Sequence, residues 1–429
     1  MEERFVIQLL ILTISFIILF EIFITKNFLS PIVLFSSLFL LIITLAFFNL
    51  DGMYQVTMKS FYIVFIGVLS FSFGSYFYRL IYVTSKQEKT SKNFLLKRKE
   101  FNFKFLYLLA FFVSLGNIIS AFYAFMFIKN GGSYFAIRQM ILGYNDADPL
   151  IKNPLFNILS SYISGPGLFA LIPFAMLFLL KKEHIKFSGI VFMNLFFSAI
   201  YSGGRIILIY TLVQLLILFK WNNIKLSRKM RRSIIAISLI AIVIIIIISD
   251  NRSSNSLLKS FYRYFSGPMA LLSYWTNYAD VQNINSYGLS FFYPFSYMIN
   301  AFFNFLGMPN NFLHDIVLWQ GMPQNVWVQV FPDQSMNAFS TLFYFFYQDF
   351  REFGVFIFSL IFGFISEFVF NKAFHQRNEK YLLIYLLGVK ALVGSFIIWQ
   401  LGSTSFFLSL VLMIVCLNKD KKINLRSNK

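Results

Sequence analysis

Apolar residues run through this chain in blocks too long for the helices of a soluble fold and too continuous for half-buried strands. A bilayer's hydrocarbon takes about 20 apolar residues to cross, and runs of that kind cover 5–25, 31–50, 60–83, 105–128 and 154–180. Shorter runs follow at 188–201, 206–219 and 233–249, and three more at 354–370, 381–398 and 403–418. The pattern predicts an all-α fold, a polytopic transmembrane helical bundle of about 11 spans. The runs 188–201 and 206–219 meet at Gly203-Gly204. They read either as a hairpin with a sharp tip or as one long helix with a break.

Between the eighth and ninth runs lies a long polar-and-aromatic stretch, 250–353. Part of it, 291–307, is apolar but interrupted by Pro294, Asn300 and Asn304. Irregular backbone at membrane depth survives only where protein or water covers it, so this part reads as an interfacial or re-entrant helix, with a full span as the alternative. The chain divides into spans 1–8 with their basic loops (1–249), the long stretch (250–353), and spans 9–11 with a basic tail (354–429).

Composition sharpens the class. The chain of 429 residues is 58% hydrophobic and 13% charged, with mean hydropathy +0.68, where soluble domains carry about a quarter charged residues. Glu2, Glu3 and Arg4 lead straight into the first run without the small-residue cleavage pattern of a signal peptide. Cys416 is the only cysteine, which excludes a disulfide framework and a thiolate metal site. The net charge of +19 does not imply nucleic acid, because the basic residues cluster in short loops between apolar runs. Those clusters are 84–104, Lys181 to Lys186, Lys220 to Arg232, Lys372 to Lys380 and Lys419 to Lys429. With eleven spans all five fall on one side, which the positive-inside rule makes the cytoplasm. The C-terminus is then cytoplasmic, and 250–353 is external.

Ionisable residues at or inside a membrane are expensive and point to function. Arg205 follows Gly203 and Gly204 at the start of a span. Glycines permit a sharp turn and close approach, a guanidinium offers a planar fork to phosphate, and a helix start favours an anion. The alternative is an arginine snorkelling to the headgroups, and the residues leave both open. Asn337 to Thr341 and Tyr347-Gln348-Asp349-Phe350 form a polar, aromatic approach to the ninth span. There Asp349 or Arg351 could act as a base and its partner, or form only a surface ion pair. Lys390 lies in mid-span and reads as one half of a structural ion pair or as a cavity lysine, with Gly388 and Gly394 allowing close packing. Glu21 and Glu367 fall nearer the cytoplasmic ends of their spans and are not obvious partners for it. Asp146-Ala147-Asp148 has a metal-holding spacing, but two acids in a polar loop are common, and the three histidines are far apart. No metal or cofactor is expected.

The Gly-Gly-Arg turn, the long external stretch and the aromatic Thr341…Tyr347-Gln348-Asp349-Phe350…Gly354 run together resemble the oligosaccharide repeat-unit polymerases (Wzy type). The resemblance covers the second half of the chain and an earlier arginine-bearing stretch, Gly131-Gly132-Ser133 to Arg138. One departure is the Arg351-Glu352-Phe353 insertion ahead of Gly354, where the family often reads Asp-Phe-Gly. The resemblance implies transfer of a growing glycan from undecaprenyl diphosphate to an incoming lipid-linked repeat unit, at the outer face of a bacterial inner membrane. It makes Arg138, Arg205, Arg252 and Arg263, with Gly203 and Gly204, candidate diphosphate-binding residues. Arg205, Asp349 and His314 become candidate catalytic residues. Implied partners are the lipid-linked oligosaccharide, membrane lipid and a chain-length regulator protein. A ligase of the same pathway, for which His314 would matter, and a lipid-oligosaccharide flippase are the alternatives.

Overall fold

The computed structural model describes residues 2–54, 56–87, 101–142, 148–202, 206–222 and 257–417. Seven helices are long and apolar enough to cross a membrane, and the chain is an all-α polytopic bundle. They are α1 (Glu2–Thr25), α2 (Pro31–Phe48), α3 (Met58–Gln87, apolar through Tyr82), α4 (Phe103–Lys129), the composite Pro154–Lys181, α8 (Ile185–Ser202) and α13 (Thr341–Phe374). A short α5 (Tyr134–Leu142) follows α4. The composite consists of α6 (Pro154–Ile158), a π-helical turn over Leu159–Ser164, and α7 (Gly165–Lys181). Its irregular turn precedes Pro166, whose missing N–H and ring disrupt the ladder one turn back. Shorter helices complete the bundle: α9 (Ile206–Trp221), α14 (Glu379–Val393) and α15 (Thr404–Leu417). The expected span 233–249 lies outside the described residues.

Contacts fix which helix ends lie together. At one end, Arg79 joins Glu21 and Glu367, the Trp221 indole donates to the carbonyl of Ala373, Lys181 pairs with Glu379, and Asn102 donates to Cys416. Lys181, Lys182, Lys372 and Lys380 gather here, so we call it the basic end. Both the start of α8 and the end of α9 lie at it, with His184 on Phe103 and Trp221 at Ala373. Of the two readings for 188–219, the antiparallel hairpin is therefore the one found.

The central contact is between α3 and α13. A Cβ on Gly74 would sit 2.0 Å from the carbonyl oxygen of Leu360, and one on Gly363 2.0 Å from that of Phe71. The two backbones touch reciprocally, as small residues allow between membrane helices. Around this seam Phe35, Phe39, Phe71, Phe343 and Phe362 pack as tilted, stacked and edge-on pairs.

At the opposite end the long stretch folds as a layer across the bundle. It contains α10 (Leu257–Val281), α11 (Tyr293–Phe305), α12 (Asn311–Asn325) and a two-stranded antiparallel hairpin, β1 (Val328–Phe331) with β2 (Gln334–Met336). With 13 residues α11 is about 20 Å long, too short to cross. Its exposed face is apolar (Phe295, Met298, Ile299, Phe302, Phe305), while Pro294, Ser296 and Asn300 are buried. That inverted pattern suits a helix lying against lipid and removes the full-span alternative for 291–307.

Candidate functional site

The membrane helices α14 and α15 have 15 and 14 residues, so each rises about 22 Å against a hydrocarbon layer of about 30 Å. The first leaves the basic end at Glu379 and the second returns to it at Cys416. Their tip, residues 394–403, therefore stops inside the bundle, and the layer closes over it. The tip is a 3-10 turn (Gly394–Phe396) followed by turns, with Ser403 both donating to the carbonyl of Gln400 and accepting from the amide of Phe406. Trp399 anchors it from above by donating to the carbonyl of Phe291 at 2.9 Å, with the two rings stacked. Phe396 packs under Tyr264, Phe265 and Phe339 of the layer. A Cβ on Gly394 would lie 2.6 Å from the Tyr210 hydroxyl, so a glycine there lets α9 reach the tip. Beside the tip, where α11 and α12 meet it, is a cavity of about 220 Å³.

Asp349 holds the wall of this cavity. Its fully buried carboxylate accepts from Ser286 Oγ (2.6 Å) and from the amides of Gly288 (2.9 Å), Ser290 (3.0 Å) and Phe291 (2.8 Å). Ser290 Oγ in turn contacts the side-chain oxygens of Gln320 and Gln348. One hydroxyl carries one proton, so it donates to only one of them at a time. Directly after Asp349 the helix breaks: Phe350 and Arg351 leave helical geometry, Arg351 with φ 55°. The insertion before Gly354 is this break. Gly354 is needed because a Cβ would sit 2.2 Å from the carbonyl oxygen of Phe346.

Arg351 turns away from Asp349. It reaches Asp280 at 3.4 Å and the carbonyl of Ala279 at 3.2 Å. Asp280 also takes Lys59 and the Tyr347 hydroxyl, the latter at 2.7 Å. Burial pushes the Asp280 carboxyl up, but the hydrogen bonds from Lys59 and Tyr347 outweigh it and hold it below the usual carboxylate range. Arg263 is equally committed. It is 2% exposed and pairs with Asp51, Asp333 (2.6 Å) and Gln334 (2.9 Å). It ties the α2–α3 turn to the β-hairpin, and its charge is already met by two carboxylates in a buried position.

The candidates from the sequence thus separate. Asp349 is buried against the segment 286–291 and Arg263 clamps the β-hairpin to the α2–α3 turn. His314 is exposed on α12. Gly203, Gly204, Arg205 and Arg252 lie outside the described residues, and so does all but Asp148 of the Asp146-Ala147-Asp148 motif. Arg138 falls in α5. The expected Asp349–Arg351 pairing is replaced by Arg351–Asp280. Lys390 makes no ion pair among the described residues. It is 8% exposed, and its ammonium sits 3.6 Å from the centre of the Phe169 ring. A desolvated cation–π contact is worth about 2 kcal/mol, comparable with the ~2.5–3.5 kcal/mol that insertion scales assign to a mid-span lysine. Gly388 has open space beside it, so only Gly394 serves close packing.

Several residues escaped the sequence reading. Arg79 bridges Glu21 (2.7 and 2.8 Å) and Glu367 (2.7 and 3.0 Å), and so gives both acids the partner they needed. Gln320 and Gln324 carry a signal that was there to be read, two amides at i, i+4 on one face of a helix. Comparison of the chain with family models, curated proteins and solved structures gives no match.

Proposed function

We propose that the chain is a membrane-embedded glycosyltransferase that polymerises lipid-linked oligosaccharide repeat units, with its layered end at the outer face of a bacterial inner membrane and its basic end in the cytoplasm. The observation that carries this reading is the α14–α15 hairpin, whose tip stops short of the far end and is roofed by a folded layer. Such an arrangement suits a substrate whose sugar head reacts near the headgroups while its polyprenyl tail stays in lipid.

In the proposed reaction, an acceptor hydroxyl of the incoming unit attacks the anomeric carbon of the growing glycan. The bond from that carbon to the carrier diphosphate breaks, the diphosphate leaves with the electron pair, and the proton lost by the hydroxyl ends on that diphosphate or in solvent. Developing charge on the leaving group calls for fixed cations. Arg205, Arg138 and Arg252 are the candidates for that role ahead of Arg263, whose charge already meets Asp51 and Asp333. Asp349 positions the segment 286–291. The ligase alternative rests on His314, exposed on α12.

Deletion of the gene separates the readings. Loss of a polymerase leaves lipopolysaccharide or capsule acceptor carrying one repeat unit and no ladder. Bare acceptor with long polymer stranded on the carrier lipid would mean a ligase, and single units trapped on the cytoplasmic leaflet would mean a flippase.

A further inference from the structure

The cavity beside the hairpin tip is lined by neutral groups, and several of them make no hydrogen bond among the described residues. Among the described residues its lining contains no ionisable acid or base other than the phenol of Tyr293. The nearby charges are engaged elsewhere: Asp349 by four donors, Arg351 and Lys59 by Asp280. Four lining side chains carry polar atoms that make no hydrogen bond to the described residues. They are the Gln324 amide, the amide nitrogen of Gln320, the Tyr293 hydroxyl and the Thr404 hydroxyl. Gln320 is 7% exposed, so its amide is an almost buried donor aimed at a space and not at bulk water. Phe345 and Trp399 supply apolar faces to the same space.

A buried polar group without a partner costs about 1–3 kcal/mol. Gln320 is the buried one; with the half-buried Gln324, Tyr293 and Thr404 around the same cavity it describes a site shaped for a ligand that donates and accepts several hydrogen bonds. A planar side-chain amide presents a donor and an acceptor side by side, which matches two neighbouring hydroxyls. Aromatic faces cover the C–H surfaces of a ring. The volume of about 220 Å³ is below the ~300–1,000 Å³ of drug-sized pockets, which fits one sugar ring and excludes a chain. An ionised ligand is disfavoured, since a carboxylate would be desolvated here with no cation among the described lining residues to meet it.

We infer that this cavity is a subsite for a single neutral pyranose of the glycan, recognised by Gln320, Gln324, Tyr293 and Thr404, and that it rejects acidic sugars. The inference rests on the polymerase reading for its glycan and adds which sugar class the site holds.

The test uses the full chain in detergent and saturation-transfer difference NMR. The probes are the methyl pyranosides of glucose, galactose, mannose and N-acetylglucosamine, with methyl glucuronide as the charged control. At least one neutral glycoside should bind saturably, and methyl glucuronide at least tenfold more weakly. Gln324→Leu and Thr404→Val should each weaken the neutral ligand about tenfold without lowering thermal stability, because neither side chain hydrogen-bonds to another among the described residues. Absence of binding by every neutral glycoside, equal binding of the glucuronide, or unchanged affinity in both variants would overturn the inference. If the gene deletion abolishes the ladder while no glycoside binds, only this inference falls. An intact ladder would remove the polymerase reading as well.

Discussion

Replacing Asp349 distinguishes a residue that holds the site from one that performs chemistry. Its carboxylate accepts four hydrogen bonds, three of them from the amides of Gly288, Ser290 and Phe291, which cannot rotate away. Asp349→Ala leaves those three donors buried without an acceptor. At the lower end of about 1 kcal/mol each, the loss is about 3 kcal/mol. By the ~2–4 °C per kcal/mol of a 150–250-residue domain, thermal unfolding in detergent should fall by on the order of 6–12 °C. Asp349→Asn keeps an oxygen for the donors now on Oδ1 but sets its own N–H₂ against the amide of Phe291. It should lose about a third as much. Both stabilities can be followed by fluorescence-detected size exclusion after heating, and glycan length by gel on cells grown below the transition. The account expects the asparagine variant to retain chain elongation within about tenfold at low temperature. A variant with wild-type melting and a loss of ~10²–10⁴, the usual worth of a general base, would refute this reasoning and return Asp349 to catalysis.

Three further outcomes follow from the same contacts. Arg79→Met leaves Glu21 and Glu367, both fully buried, without their counter-charge, and should destabilise by about 3–5 kcal/mol; adding Glu21→Gln and Glu367→Gln should restore most of the loss on the same melting assay. The Arg263 guanidinium holds the Asp333 carboxyl below the usual range, so its contribution is complete above the unfolded value of ~3.9 and is lost only as pH falls through the lower folded value. The melting difference between the chain and its Asp333→Asn variant should then stay constant down to about pH 4 and shrink below it, and a shrinkage already at pH 6 would contradict the clamp. Arg205→Ala should abolish long glycan chains while the protein still inserts, and Arg205→Lys should recover little because the fork is lost; normal chain length in the alanine variant at equal expression would return Arg205 to a headgroup contact.

Span positions were legible because apolar length is a one-dimensional property, and the basic loops gave the alternation that the helix ends obey. The partners of charged residues were not legible. Glu21, Arg79 and Glu367 lie on three helices separated by dozens of residues, and only packing brings them into one cluster. Asp349 was correctly picked as unusual, yet its role depends on the amides of residues 288–291, and backbone donors leave no mark in a side-chain sequence. The insertion ahead of Gly354 was legible, but that it is a backbone kink turning Arg351 away from Asp349 shows only in the fold. The ninth span appeared to start at 354 because polar Gln348 and Asp349 interrupt the pattern, whereas α13 begins at Thr341 beneath the layer. For Lys390 the partner that packing supplies among the described residues is an aromatic ring on α7, which charge pairing along the sequence does not point to.

The central claim is tested most directly by reconstitution. The purified chain in proteoliposomes, supplied with an undecaprenyl-diphosphate-linked repeat unit and no nucleotide sugar, should convert it to a ladder of longer lipid-linked glycans and release one undecaprenyl diphosphate for each unit added. Substrate that remains a single unit, with protein shown to be folded and inserted by its melting profile, would contradict the account.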